Sequence, residues 1–285
     1  MRKFPAAILL FISTALLAQQ DLHFDKRFVQ SEDKWVAFAP KNGESEYIFG
    51  FIYIDGQAGL TFNYEGRFTI SADNKFIAER PLATENTSMK VRLEPNQVRV
   101  AHIPESHFAE LGIPAIPDWL QAYKTDTNSV QRLYRWGFLY NLWDESEKAM
   151  TYLRRARDIN VKHPGVEFEL GFAFNALGQY DSAITILHSA LATTPNEYLL
   201  YKELSFAQLQ LKQLDSGALS ARRGIALSDD SAFKAEMAYN VAYEYYKRKD
   251  RPNFSQWAGE ALKWTKENDP IAAMLRKMEG QLQSQ

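Results

Sequence analysis

Apolar side chains change their spacing once along this chain. Up to about residue 103 they recur with period two, and from about residue 129 they recur with the 3.6 period of a helix. In the first part, Lys34–Phe38 predicts a first strand, and Tyr47–Ile54 is apolar on both parities, as a central strand is. Asp55–Gly59 predicts a turn. Leu60, Phe62 and Tyr64 then alternate with Thr61, Asn63 and Glu65, and Phe68 and Ile70 keep the same parity. That is the pattern of a half-buried strand, with Gly66 placed to form a bulge. Lys75–Glu79, the Met89, Val91 and Leu93 alternation, and Val98–Ile103 complete five or six short strands, a small antiparallel sheet or sandwich.

The helical part is organised around Pro164–Asn196. Two apolar helical patterns flank a break at Leu177–Asp181. Gly178 suits the left-handed residue that ends a helix, Asp181 favours the next helix start, and Pro195 stops the second helix. Leu170-Gly171 is followed by Phe174, Tyr180, Ala183, Leu187, Ala190 and Pro195. Trp136-Gly137 lies 34 residues earlier and Leu204-Ser205 lies 34 residues later. Ala149, Leu153 and Ala156 keep register with Ala183, Leu187 and Ala190, and Val241-Ala242 opens a looser fourth copy after 37 residues.

This pattern resembles the tetratricopeptide repeat (TPR), whose period is about 34 residues. The resemblance covers residues 118–285 and implies a solenoid of helical hairpins that holds partner proteins in a groove lined by the first helix of each repeat. Carried over residue by residue, it places Tyr134, Phe138 and Asn141, then Phe168, Phe172 and Asn175, then Lys202, Phe206 and Leu209, and finally Tyr239, Tyr243 and Tyr246 along that groove. Family members that clamp a peptide carboxylate use Lys and Asn in the first repeat, where this chain has Tyr134 and Phe138. An aromatic row, Phe138, Phe172, Phe206 and Tyr243, recurs instead. It either receives a partner or is covered by the chain itself. The third repeat departs from the pattern: Gly217 and Gly224 replace alanines and Lys212 replaces the turn glycine, so this hairpin is either soft or unusually closely packed. Ile271, Met274, Leu275, Met278 and Leu282 share one face of a last, capping helix opened by Pro270.

Between the two parts, residues 104–128 carry Pro104, Pro114 and Pro117 together with Phe108, Ile113, Ile116 and Trp119. So many large apolar groups predict packing, and the first repeat is the expected surface. Asp118 is placed to cap a short helix. At the other end, Arg2, Lys3 and the apolar run Ala6–Leu17 read as a leader cleaved after Ala18. Its removal leaves 31 basic residues against 35 acidic, a net charge of −4. That balance carries no footprint for nucleic acid, and no later run approaches membrane-spanning length. With no cysteine there is no disulfide, thiol nucleophile or zinc ribbon, which fits an exported chain.

Candidate chemistry is sparse. His23, His102, His107, His163 and His188 lack metal-ligand spacing. Asp55, Glu65 and Asp73 are acids of turns and of a strand more readily than a hydrolytic pair. No catalytic residue, cofactor or metal is expected.

The expected architecture is α+β: a leader at 1–18, a β-rich domain at 19–103, a connector at 104–128, repeats at 129–163, 164–197, 198–231 and 232–268, and a capping helix at 269–285. The expected function is an exported, periplasmic or secreted scaffold that binds a protein or peptide in its aromatic groove. Binding of an envelope polymer or glycan by the β domain is the alternative, and self-association stays open. N-terminal sequencing of the protein from its native envelope fraction checks the leader. A start at Gln19 is expected, and a start at Met1 contradicts it.

Overall fold

The computed structural model describes residues 22–41, 43–79, 89–163, 165–266 and 268–283. The expected leader and Pro164 lie outside them. The chain forms two compact units, the first ending at Thr125 and the second beginning at Asp126.

The first unit is one antiparallel sheet. Its strands are β1 (Lys34–Phe38), β2 (Tyr47–Asp55), β3 (Gly59–Ile70), β4 (Phe76–Glu79), β5 (Lys90–Arg92) and β6 (Val100–His102). The order is β4-β3-β2-β1-β6, and β5 shares the outer edge of the long β3 with β4. The β2–β3 turn is held by Asp55, whose Oδ1 accepts from the backbone N–H of Gln57 and Ala58.

The bulge corrects the parity reading of β3. Phe49 pairs with Gly66 but Gly50 pairs with Tyr64, so Glu65 is the extra residue. One inserted residue moves every later side chain to the opposite face. Phe62 therefore lies beside Phe38 on one face, while Phe68 stacks against Tyr47 and Phe76 on the other. Gly50 is required at this point, because a Cβ there would lie 2.2 Å from the carbonyl oxygen of Asn63.

The connector corrects a second expectation. Most of its apolar groups pack on the sheet of its own unit, and Ile116 is exposed. Leu111, Ile113 and Leu120 join the core formed by Trp35, Phe49, Phe51, Tyr53 and Phe68. Trp119 packs edge-on against Phe51 and Tyr53. Polar contacts fix the same segment: the indole of Trp35 donates to the Pro114 carbonyl at 2.8 Å, and Lys124 reaches Asp33 at 2.7 Å. Glu110 accepts from the Phe76 N–H and contacts the buried His107. The aromatic face of the sheet needed a cover, and the chain that follows β6 is close enough to supply it.

The second unit is TPR-like. Helices α2 (Val130–Leu142) and α3 (Ser146–Ile159), α4 (Val166–Ala176) and α5 (Tyr180–Thr193), α6 (Tyr198–Gln210) and α7 (Leu214–Leu227), and α8 (Ser231–Lys247) and α9 (Arg251–Leu262) form four hairpins among the described residues. Helix α10 (Pro270–Gln283) packs on α8 and α9; α1 (Phe108–Leu111) is a single turn of the first unit. Each hairpin turns through one left-handed residue: Asp144, Gly178, Lys212 and Lys249 have φ of 58°, 70°, 64° and 58°. The first three are evenly spaced. The fourth is three residues late because α8, with 17 residues, is longer than the 13-residue α6.

Within a hairpin, small residues let the two helices approach. A Cβ on Gly137 would lie 2.3 Å from Leu153, and one on Gly171 would lie 2.5 Å from Leu187. In the third hairpin the volumes are redistributed. Ser205 and Ala221 stand where Gly171 and Leu187 stood, and Leu209 and Gly217 stand where Asn175 and Ala183 stood. A Cβ on Gly217 would meet Leu209 at 2.7 Å, and the Ser205 hydroxyl donates to the Gly217 carbonyl. A Cβ on Gly224 would lie 3.3 Å from Tyr201 Cβ. Close packing therefore explains these glycines, and softness does not.

Thermal melts check this packing. Gly217→Ala is expected to cost about 1–3 kcal/mol, because the added methyl must displace Leu209 in a filled core. Lys249→Gly is expected to stabilise by several tenths to about 1 kcal/mol, since it removes a side chain from a left-handed conformation in an exposed turn. A raised melting temperature for Gly217→Ala would contradict the packing account.

Candidate functional site: the inner face of the repeat helices

The first helices α2, α4, α6 and α8 place equivalent residues in rows. Phe138, Phe206 and Tyr243 occupy one row and are each 39% exposed, with Phe172 half-buried between them. Large rings held open at three equivalent places are unusual in a packed repeat, where most apolar positions are buried. Tyr134, Phe168, Lys202 and Tyr239 form the neighbouring row and are all half-buried.

Several expected groove residues have other work. Asn141 and Asn175 are buried. Asn141 Nδ2 donates to both the backbone oxygen and Oε2 of Glu169, at 2.9 and 2.8 Å. Asn175 repeats the arrangement one hairpin on, donating to Glu203 at 3.0 and 2.9 Å. These are stitches between consecutive first helices beneath the groove surface. Leu209, at the same position, is buried apolar core. The Tyr239 hydroxyl donates to Met274 and that of Tyr246 to Gln281, so α10 uses both phenols. Tyr134 packs against His163, its ring centroid 4.9 Å away. Lys202 holds both carboxylate oxygens of Glu236, at 2.8 and 2.9 Å.

Glu169, Glu203 and Glu236 are residues of the candidate site that the sequence reading missed. A signal existed: Glu169 and Glu203 immediately precede Leu170 and Leu204, in register with Asn141 and Asn175. Burial raises the pKa of Glu169; the Asn141 bond opposes this and the charge of Glu203 adds to it. Burial likewise raises Glu203, against the Asn175 bond and Lys202, with Glu236 adding to the rise. The Oδ1 atoms of Asn141 and Asn175 are buried without a donor.

Phe172, Asn175, Lys202, Glu203, Phe206 and Asn240 help line a cleft of about 580 Å³ between α4, α6 and α8. Elsewhere the chemistry is local. Asp73 closes its own turn with Ser71 and Lys75, and His188 is exposed. Among the described residues no cluster of three His, Asp or Glu side chains is arranged to hold a metal, and no helix is long and apolar enough to cross a membrane.

The buried glutamates predict a pH dependence. Their folded pKa values lie above the ordinary carboxylate range, so the folded protein holds these protons more tightly than the unfolded chain does. The stability they contribute is complete below the ordinary carboxylate pKa and is lost as pH rises through the raised folded values. Glu169→Gln and Glu203→Gln remove that loss, and each amide supplies a donor to the orphaned asparagine Oδ1. Each variant is expected to be more stable at pH 7 by about 1 kcal/mol, with a flatter melting temperature between pH 4 and 8. A variant less stable than the parent at pH 7 contradicts this account.

No family model and no curated protein matches the chain. Solved structures do. MamA from residue 41 to its end, from Desulfovibrio magneticus RS-1, is 16% identical over 53% of this chain and 82% of that one, with a TM-score of 0.46. A structure of PilF from Pseudomonas aeruginosa is 15% identical over 55% of this chain and 74% of that one, with a TM-score of 0.44. MamA of AMB-1 is 17% identical over 54% and 82%, with a TM-score of 0.43.

Proposed function

We propose that this protein is an exported scaffold that holds an apolar or aromatic segment of a partner protein against the row Phe138, Phe172, Phe206 and Tyr243. The observation that carries this reading is the equal exposure of Phe138, Phe206 and Tyr243 at equivalent places on three of the first helices. Repeats stack with a nearly constant rotation, so such a row forms a continuous strip. Aromatic residues dominate binding hot spots, and burying one ring contributes roughly 1.5–3 kcal/mol. Attraction of this kind is insensitive to salt, unlike a carboxylate clamp. Export rests on the leader pattern in residues 1–18.

The glycan reading is weaker. It needs flat aromatic side chains presented to solvent by the sheet. Trp35 is instead buried, and the half-buried Trp119 packs edge-on against Phe51, Tyr53 and Tyr123.

A photo-reactive phenylalanine analogue placed at Phe206 tests the groove in the native envelope. It is expected to capture a discrete protein partner in salt as well as without it. The same analogue at Leu219, which is 70% exposed on α7, is expected to capture none. Phe138→Ala is expected to reduce that capture several-fold while leaving the melting temperature within a few degrees, as an exposed side chain should. Equal capture from both positions would refute the groove as the binding surface.

A further inference from the structure

The cleft between α4, α6 and α8 has two kinds of wall. Phe172 and Phe206 are apolar, while Lys202, Glu203, Glu236 and Asn240 are polar. Most of the polar groups are committed. Lys202 is held by both oxygens of Glu236. The Ser205 hydroxyl is donated to the Gly217 carbonyl, and the Asn175 N–H groups go to Glu203. Besides Asn175 Oδ1 and the Tyr180 hydroxyl, two groups at the polar wall are left. Glu203 accepts at Oε2 only, and neither its Oε1 nor the amide of Asn240 has a hydrogen bond to another described residue. Glu203 is only 9% exposed and lines the cleft.

A carboxylate taken this far out of water is stable as an anion only beside a cation. Lys202 acts on it from a distance, but its ammonium sits on Glu236, which acts in the opposite sense. Counted over the cleft, one lysine faces two glutamates.

We infer that this cleft seats the charged end of a lysine or arginine side chain carried by an otherwise apolar partner segment, with Glu203 as its counter-ion and Phe172 and Phe206 beside its stem. The inference rests on the groove reading above and adds a charge requirement to it. The chemistry is matched at both ends: aromatic faces attract a cation and cover its methylenes, while Glu203 Oε1 and the Asn240 carbonyl accept its N–H groups. Burial raises the pKa of Glu203 in the free protein. Seating a cation favours the carboxylate over its protonated form, so binding is linked to proton release and strengthens as pH rises through that range.

Isothermal titration with two blocked pentapeptides tests this. Both are built of leucine and phenylalanine; one has a central lysine and the other a central norleucine of similar size. The lysine peptide is expected to bind about tenfold more tightly than the norleucine peptide, and more tightly at pH 8 than at pH 5. Its heat should differ between buffers of different ionisation enthalpy, which reads the released proton. Glu203→Gln keeps an acceptor for Asn175 and is expected to abolish the preference by weakening the lysine peptide alone, with circular dichroism confirming the fold. A lysine preference that survives Glu203→Gln overturns the inference, as does binding of neither peptide. Equal binding of both peptides, weakened alike by Phe206→Ala, overturns the charge requirement and leaves the groove reading standing.

Discussion

The helical unit depends on how closely the two helices of each hairpin approach. Gly137 against Leu153 and Gly171 against Leu187 set that distance in the first two hairpins. The third keeps it with other residues, giving Leu209 the space that Gly217 vacates. The fourth places Ala242 and Ala258, both buried, at the corresponding positions. What persists is the close approach of the two helices rather than the identity of either residue. The turn conformation persists as well. Asp144, Lys212 and Lys249 take the left-handed conformation that Gly178 takes without strain. Packing over the whole hairpin outweighs a local cost of about 1–2 kcal/mol at one residue.

Constant hairpins stack regularly, and polar stitches join consecutive first helices. Asn141 with Glu169 and Asn175 with Glu203 tie one first helix to the next through two bonds each. The stitch ends at the third repeat, where Leu209 replaces asparagine and Lys202 pairs with Glu236. The cleft lies at this change of pattern. Regular repetition places Phe138, Phe206 and Tyr243 at equivalent positions, and where it breaks the buried Glu203 lines the cleft.

The repeats were legible because their signal is redundant. Gly171, Ala183, Leu187 and Ala190 recur at fixed intervals, so one substituted position does not hide the period. The strands were legible from alternation, and Gly66 pointed to within one residue of the bulge at Glu65. What the bulge does to Phe68 was not legible, since parity counting has no term for an unpaired residue. The destination of residues 104–125 was hidden for another reason. Apolar content announces that a segment packs, but the partner is set by which aromatic face lies uncovered nearby. At the candidate site, Phe138, Phe206 and Tyr243 could be placed from register alone. Asn141 and Asn175 could not be told from groove residues, because the glutamates that bury them lie 28 residues away on another helix.

Hydroxyl-radical footprinting of the protein in its native envelope extract, compared with the purified protein, tests the central claim most directly. The account predicts that Phe138, Phe206 and Tyr243 lose reactivity together in the extract, at high and low salt, while Leu219 on α7 and Ile159 at the end of α3 are unchanged. Protection of Leu219 and Ile159 with the three rings still reactive would contradict it.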